Sequence, residues 1–354
     1  MTKEISLIIP AAGKSSRYPN MRPKWLLTHP TGKLMIEMVL NSMDYEKYNR
    51  TVITILKEHC EVHNADIILK QIFGDSVELL ILEEQTKSPA ETIYETIKRF
   101  KINNQIVIKD SDCLVKSVYH PNRNYIVGLK VDENSTIENI QEKSFILKND
   151  DNIVRDILEK EIVSNIICLG IFSMSSEEFV DAYKKICDND VYKRENEIYV
   201  SHIISYLIIN QKVIFEYVEA SEYVDWNTQK EWYRELDRYK TYIFDIDGVL
   251  LENCGKYGKN NWSNYFKPIE KNISILKKLS AENSEIIFMT SRTEEYLTQF
   301  KEFMKKHKIK YKTIITGCNH SKRIIINDFA PTNPFPSCEA FSIPRNSRLG
   351  DYLK

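Results

Sequence analysis

Short apolar, β-branched runs recur along the chain between stretches whose apolar residues fall at helical spacing. The runs are Ile5–Pro10, Val52–Leu56, Val77–Leu82, Gln105–Lys109, Tyr125–Lys130 and Ile166–Phe172. Between them Thr92–Phe100 puts Ile93, Ile97 and Phe100 on one helical face, and Ser175–Lys185 does the same with Phe179 and Tyr183. This alternation predicts an α/β fold in which helices flank a mostly parallel sheet. After the charged and aromatic stretch Trp232–Tyr239 a second series begins. It comprises a strand at Thr241–Phe244, a helix at Ile269–Leu279, a strand at Glu285–Met289, a helix at Glu294–His307 and a strand at Arg323–Ile326. Two α/β domains are therefore expected, 1–236 and 237–354. No repeat or low-complexity linker separates them, so the junction should be short and partly helical.

Length agrees, since 354 residues exceed one ordinary core and fall short of three. With 42% hydrophobic and 28% charged residues, the composition is that of a soluble globular protein. No apolar run nears the roughly 20 residues a bilayer crossing needs, so no membrane partner is expected. Ile5–Pro10 is too short and too soon followed by Gly13 and charged residues to be a signal peptide, which leaves the cytoplasm as the expected location. The seven cysteines are scattered, odd in number and form no C-x-x-C pair. That argues against a disulfide framework and a structural zinc site. A net charge of −1 lacks the basic footprint of a nucleic-acid binder. Partners should be small anions in local clefts, and the lysine-rich Lys301–Lys312 reads as a solvated helix face. A homo-oligomer stays open.

Chemistry enters with Pro10-Ala-Ala-Gly-Lys-Ser-Ser-Arg17, a small-residue loop directly after a buried-type strand. Such a loop lets backbone N–H groups approach a triphosphate, and a following helix N-terminus adds positive potential. Arg17 can fork onto phosphate oxygens, and Lys24 supplies a mobile point charge near the reacting phosphorus. Attack on an α-phosphorus builds negative charge that such cations offset. Asp110-Ser-Asp112 follows the strand Gln105–Lys109, where open α/β sheets place ligands. Two hard carboxylates there suit Mg²⁺, although acidic residues after a strand are also common turn formers.

These residues carry a resemblance. P-A-A-G-K-S-S-R with P-K-W-L resembles the L-A-A-G-x-G-x-R…P-K signature of the nucleotidyltransferases that make nucleotide-activated sugars and polyols. Asp110-Ser-Asp112, Glu159-Lys160, Gly170 and Asp225-Trp-Asn-Thr228 continue the match over about residues 1–236. The resemblance implies a Rossmann-like domain in which Ala11, Ala12, Gly13 and Arg17 hold the triphosphate and Lys24 stabilises the reacting phosphates. It further implies Mg²⁺ on Asp112 and Asp225, the acceptor's phosphate on Lys160, and base reading around Ser88 and Ala90. Ser15 and Asn227 stand where the family has glycine. Trp226 and Trp232 read as packing at the domain edge rather than as base stackers.

In the second domain Phe244-Asp-Ile-Asp-Gly-Val249 ends a strand with two carboxylates and a turn glycine. Asp245 is placed to attack phosphorus, and Asp247 to protonate the leaving oxygen and then activate water, with Mg²⁺ bringing the anions together. Thr290, Lys322 and Asp328 follow in order, supplying a hydroxyl and an ammonium for the phosphate and a further carboxylate for the metal. The series is similar to the four motifs of the haloacid dehalogenase superfamily. That resemblance implies a small Rossmannoid phosphohydrolase with Asp245 as nucleophile, Asp247 as acid/base, Thr290 and Lys322 on phosphate, and Asp245, Asp247 and Asp328 at Mg²⁺. Arg323 and His320 are the alternatives to Lys322. The spacings leave no room for a cap domain. Either the first domain or a neighbouring subunit is then expected to cover the site, or else a disordered Asn253–Lys267 flap with Gly255 and Gly258.

Together the two resemblances imply a bifunctional enzyme of bacterial surface-polysaccharide precursor synthesis. It would transfer a nucleotidyl group, CTP being the favoured donor, to a small phosphorylated sugar, polyol or amino compound with release of pyrophosphate, and would hydrolyse a phosphate monoester. A transferase carrying a non-catalytic second domain is the alternative. A nucleotide-binding regulator is disfavoured by the intact Lys24 and carboxylates.

Overall fold

The computed structural model describes residues 4–118, 120, 123–132, 137, 139–188, 197–255, 259–263, 265–328 and 338–353. The chain divides into two compact units, Met1–Trp232 and Tyr233–Lys354. In the larger unit Ile5–Pro10 forms β1, buried at all but its last residue, as a strand covered on both faces must be. The further strands are Arg50–Leu56 (β2), Glu78–Leu82 (β3), Gln105–Lys109 (β4), Cys113–Lys116 (β5), Tyr125–Lys130 (β6), Ser144–Lys148 (β7), Val154–Glu159 (β8), Ile166–Ser175 (β9), Glu216–Glu219 (β10) and Glu222–Asp225 (β11). The helices are Met35–Ser42 (α1), Lys57–His63 (α2), Ala65–Phe73 (α3), Pro89–Phe100 (α4), Ser176–Cys187 (α5) and Val200–Gln211 (α6), and Gln229–Asp237 (α7) begins in this unit and ends in the next.

The main sheet runs β10-β6-β9-β4-β1-β2-β3, and every strand on that path except β9 points the same way. It is a large, mostly parallel sheet. β7 and β8 form a hairpin attached to the start of β9 through Phe145 and Ile167. Alternate residues face opposite sides: Ile8, Ile106 and Ile108 join α4, α5 and α6 in one core, while Leu7, Ile9 and Val107 join α1 and α3 in the other. Local chemistry sets the helix starts. Ser88 caps α4 by accepting from the Glu91 N–H at 3.2 Å, with Pro89 in the first helical position. Ser175 and Glu178 close a reciprocal capping box on α5.

Because the strands are parallel, the ends of β1, β3 and β4 lie along one edge of the sheet. A separate antiparallel ribbon brings a distant segment to that edge: β5 pairs with β11, Cys113 opposite Asp225. The Trp226 N–H extends the ladder to the Asp112 carbonyl at 3.0 Å.

The smaller unit holds Thr241–Phe244 (β12), Glu285–Met289 (β13) and Thr313–Ile315 (β14) in a parallel sheet of that order, with Lys259–Trp262 (α8), Glu270–Ala281 (α9) and Thr298–Lys306 (α10). Phe288, Phe300, Met304, Ile273 and Leu276 form its core. Two expectations need correction. Arg323–Ile326 is not a strand; the third position is taken by Thr313–Ile315, which follows directly from α10, while Ile324, Ile325 and Ile326 stay 76%, 50% and 91% exposed. Within Asn253–Lys267, read as a disordered flap, Lys259–Trp262 is a helical turn; Gly258 lies outside the described residues.

Candidate active site

The loop after β1 turns sharply at Ser15, whose φ of +51° lies in the left-handed region. Serine thus keeps a backbone shape that glycine adopts without strain. Its hydroxyl accepts the Lys24 backbone N–H at 3.0 Å, which fixes the start of the Lys24–Leu26 turn. From there the Lys24 ammonium reaches Asp112 and forms a salt bridge with its carboxylate. Burial alone would push the Asp112 carboxyl up, but Lys24, followed by Lys143 and Lys109, more than reverses this and holds it down at about 2. Asp110 moves the other way, pushed up to about 6 by burial and by the charge of Asp112.

Asp110 is clamped by the sheet itself. Its N–H donates to the Gly170 carbonyl at 2.9 Å, and a Cβ on Gly170 would stand 2.0 Å from an Asp110 carboxylate oxygen. Gly170 has φ +67°, so both the close approach and the conformation require glycine. Beneath the loop the buried Lys109 ammonium donates to the Asp110 carbonyl at 2.8 Å and lies 3.0 Å from the Cys113 sulfur.

Asp225, delivered by the β5–β11 ribbon, accepts the Asn227 N–H at 3.1 Å and is salt-bridged to Lys143. The Lys143 ammonium also donates to the Tyr223 hydroxyl at 2.9 Å. Asn227 in turn accepts from Arg17 at 2.7 Å, and the Tyr18 hydroxyl reaches the carbonyls of Trp226 and Thr228. The first loop and the last segment of the larger unit are thereby locked together. Trp226 and Trp232 are buried and pack on each other and on His29, as structural residues.

Glu159 turns inward and accepts from the hydroxyls of Ser144 and Ser201. Lys160 lies 3.4 Å from the Glu142 carboxylate and 5.5 Å over the Tyr199 ring. Glu142 is also 3.8 Å from Arg17. Ala11 and Ala12 are buried, and open space surrounds Gly13 where a Cβ would stand. Ser88 caps α4 and Ala90 packs in the core, so what this segment can offer at the sheet edge is backbone.

Asp112, just before β5, and Asp225, at the end of β11, carry hard carboxylate oxygens of the kind that could hold Mg²⁺. Among the described residues no group of three or more His, Cys, Asp or Glu side chains is placed to hold a metal ion.

Solved structures share this arrangement of strands and helices. The nucleoside-diphosphate-sugar pyrophosphorylase of Vibrio cholerae is 18% identical, covering 65% of this chain and 99% of its own, with a TM-score of 0.56. A UDP-glucose pyrophosphorylase complexed with UDP-glucose is 14% identical over 66% of this chain and 97% of its own, with a TM-score of 0.51. The larger unit has the pyrophosphorylase fold. The inositol-1-phosphate CTP transferase of T. maritima is 13% identical, over 66% of this chain and 94% of its own, with a TM-score of 0.51. No protein-family model and no curated protein sequence matches the chain. The residues that sequence reading overlooked are Lys109, held by its near neighbours Asp110 and Cys113, and Lys143 and Tyr223, which meet from distant parts of the chain, Lys143 also reaching Asp225.

In the smaller unit Asp245 and Asp247 follow β12. Asp245 accepts the Ile246 N–H at 2.8 Å, and its carboxyl is raised by burial and by Asp247, against the lowering effect of that N–H, Arg323 and His320. Asp247 is gripped by both nitrogens of an Arg292 fork at 2.9 and 2.7 Å and accepts from Asn261 at 3.1 Å. Arg292, 2% exposed, was not foreseen; its own N–H donates to the buried Thr290 hydroxyl at 3.1 Å. Lys322 and Asp328 lie exposed on the segment that forms no strand. Of the three cations considered for the phosphate, Arg323 and His320 are those whose charge acts on Asp245.

No described helix is long and apolar enough to cross a membrane.

Proposed function

We propose that the larger unit is a Mg²⁺-dependent nucleotidyltransferase that passes a nucleotidyl group, with CTP as the favoured donor, to a small phosphorylated sugar, polyol or amino compound and releases pyrophosphate. The observation that carries this is that the β5–β11 pairing brings Asp112 and Asp225 to one edge of the sheet, Lys24 salt-bridged to Asp112 and Lys143 to Asp225, with the Arg17 loop tied in through Asn227. Arg17 and the open backbone at Gly13 would hold the triphosphate, and Lys24 would offset charge building on the α-phosphate. The Asp112 and Asp225 carboxylates would hold the ion, which when bound neutralises phosphate charge and orients the two reactants. The fold shared with a UDP-glucose pyrophosphorylase and an inositol-1-phosphate CTP transferase supports the reaction class. The test is incubation with each nucleoside triphosphate against a panel of phosphorylated sugars and polyols, reading pyrophosphate. No pyrophosphate from any pairing, or full activity in excess chelator, would overturn the reading.

For residues 237–354 we propose a haloacid-dehalogenase-type phosphohydrolase in the same precursor pathway, with Asp245 as nucleophile, Asp247 as acid/base and Thr290 on the phosphate. Support comes from Asp245 and Asp247 at the end of β12 and from Thr290 at the end of β13. One observation favours the non-catalytic alternative for this unit: Asp247 is engaged by Arg292 on both oxygens. Release of free phosphate from phosphomonoesters, abolished by Asp245→Asn, decides between them.

A further inference from the structure

We infer that Trp262, Tyr296 and His320 form a stacking wall beside Asp245 and Asp247, so that the smaller unit takes a phosphomonoester whose alcohol part carries a flat ring. The inference rests on the phosphohydrolase reading of residues 237–354 and adds to it the chemical class of the substrate.

Three segments far apart in the chain bring the rings together. Asn261, 2% exposed, accepts the Cys254 N–H at 3.0 Å and donates to Asp247 at 3.1 Å, which pins the Lys259–Trp262 turn to the site. Arg292, whose fork holds Asp247, donates from the same guanidinium to the Tyr296 carbonyl at 3.5 Å. The loop carrying His320 hangs from the end of β13, with the Gly317 N–H on the Arg292 carbonyl at 2.8 Å and the Cys318 N–H on the Thr290 carbonyl at 3.0 Å. Each ring therefore lies within two residues of a group bonded to Asp247, Thr290 or Arg292. His320 is also close enough for its charge to act on Asp245.

The rings are arranged as a surface rather than as a core. Trp262 and His320 are 8° from parallel with centroids 6.4 Å apart, and Tyr296 meets Trp262 at 5.6 Å and 52°. Of the four tryptophans in the chain, Trp25, Trp226 and Trp232 are 1% exposed or less, whereas Trp262 and Tyr296 are half-buried and His320 is exposed. Leaving that aromatic area in water gives up burial that the other three tryptophans collect. A flat ring laid on the parallel faces would recover it, and one such stack is worth about tenfold or more in affinity.

The test is initial-rate phosphate release by the full chain with Mg²⁺ from cytidine monophosphate, benzyl phosphate and ribose 5-phosphate, all esters of primary alcohols. The expected kcat/KM for cytidine monophosphate or benzyl phosphate is about tenfold or more above that for ribose 5-phosphate. Cytidine monophosphate in front assigns the ring to a nucleobase, and benzyl phosphate in front assigns it to an aryl group. Trp262→Ala should shrink the preference by about tenfold or more, while Trp262→Phe, which keeps a ring, should hold it within about threefold. Equal use of all these esters, an undiminished preference in Trp262→Ala, or a phenylalanine variant as poor as the alanine one would each overturn the inference. Failure of the phosphohydrolase reading would look different. None of the esters would release phosphate, yet cytidine monophosphate or benzyl phosphate would shield the tryptophan fluorescence of Asp245→Asn from iodide, and would no longer do so once Trp262→Phe is added.

Discussion

Lys24 joins the two halves of the candidate transfer site: its backbone N–H is held by Ser15 in the loop after β1, and its ammonium lies on Asp112 in the loop after β4. Removing the ammonium takes away the charge proposed to face the developing phosphate anion and leaves the Asp112 carboxylate without its partner, so the variant's fold is to be checked by its denaturant midpoint. Lys24→Ala is expected to lower pyrophosphate release by about 10²- to 10³-fold, the range found when one preorganised charge or donor is lost. Free-phosphate release should be unchanged, and Asp245→Asn should give the converse. Loss of both activities from either single change would contradict separate chemistries.

Two glycines should respond in opposite ways. Gly170→Ala forces a Cβ to 2.0 Å from the Asp110 carboxylate in a backbone at φ +67°. It should cost about 3 kcal/mol or more, read as a lowered denaturant midpoint. Gly13→Ala meets no atom within 4 Å and should leave the midpoint unchanged. Its methyl group would stand where the triphosphate is proposed to approach, so KM for the nucleotide should rise. A Gly13→Ala variant with unaltered nucleotide KM would remove this loop from the binding site.

Arg292→Met leaves the Asp247 carboxylate without its bidentate partner at a position where side-chain exposures are 2% for Arg292 and 14% for Asp247. Breaking such a pair from one side should destabilise the smaller unit by about 3 to 5 kcal/mol. Arg292→Met combined with Asp247→Asn should recover part of that loss. A double-mutant cycle by urea denaturation checks the coupling, and additive effects would show the pair to be energetically idle.

His59 supplies a pH dependence in the larger unit. Burial lowers its imidazole from 6.5 to about 4, and its Nδ1 accepts the Leu56 N–H at 3.4 Å, which requires an unprotonated nitrogen. The unfolded chain therefore takes up a proton below about 6.5 that the folded one refuses until about 4. The stabilisation is complete above pH 6.5 and is lost as the pH falls through 4. Thermal midpoints should drop between pH 7 and 5 in the wild type and less steeply in His59→Gln; parallel curves would exclude His59 as the cause.

The elements that could be read from sequence are those whose signal is local. The continuous apolar runs at β1, β4, β6, β12 and β13 begin and end where the residue pattern places them. β5 and β11 are four-residue strands in which Asp225 finds Cys113 only through the fold, and no periodicity develops over so short a length. Thr313–Ile315 and Arg323–Ile326 are both short β-branched runs; pattern alone could not tell which one the sheet would accept. Lys143 and Arg292 escaped notice for a related reason, since each acquires its meaning from a carboxylate far away in the chain. A signal for Lys143 did exist. Two short apolar, β-branched segments, Phe145–Leu147 and Val154–Leu158, flank the turn-forming Asn149-Asp-Asp-Asn152, a hairpin signal that would have set Lys143 beside Lys160.

The β5–β11 ribbon also has a consequence for biosynthesis. Its second strand is made more than a hundred residues after its first, so a nascent chain displays the Ser15 turn and Asp112 long before Asp225 can join them. Until the ribosome has released Trp226 to close the ladder, the emerging polypeptide has only half of its acidic pair and should be inert toward triphosphates. Any product of premature termination upstream of that point would share this silence.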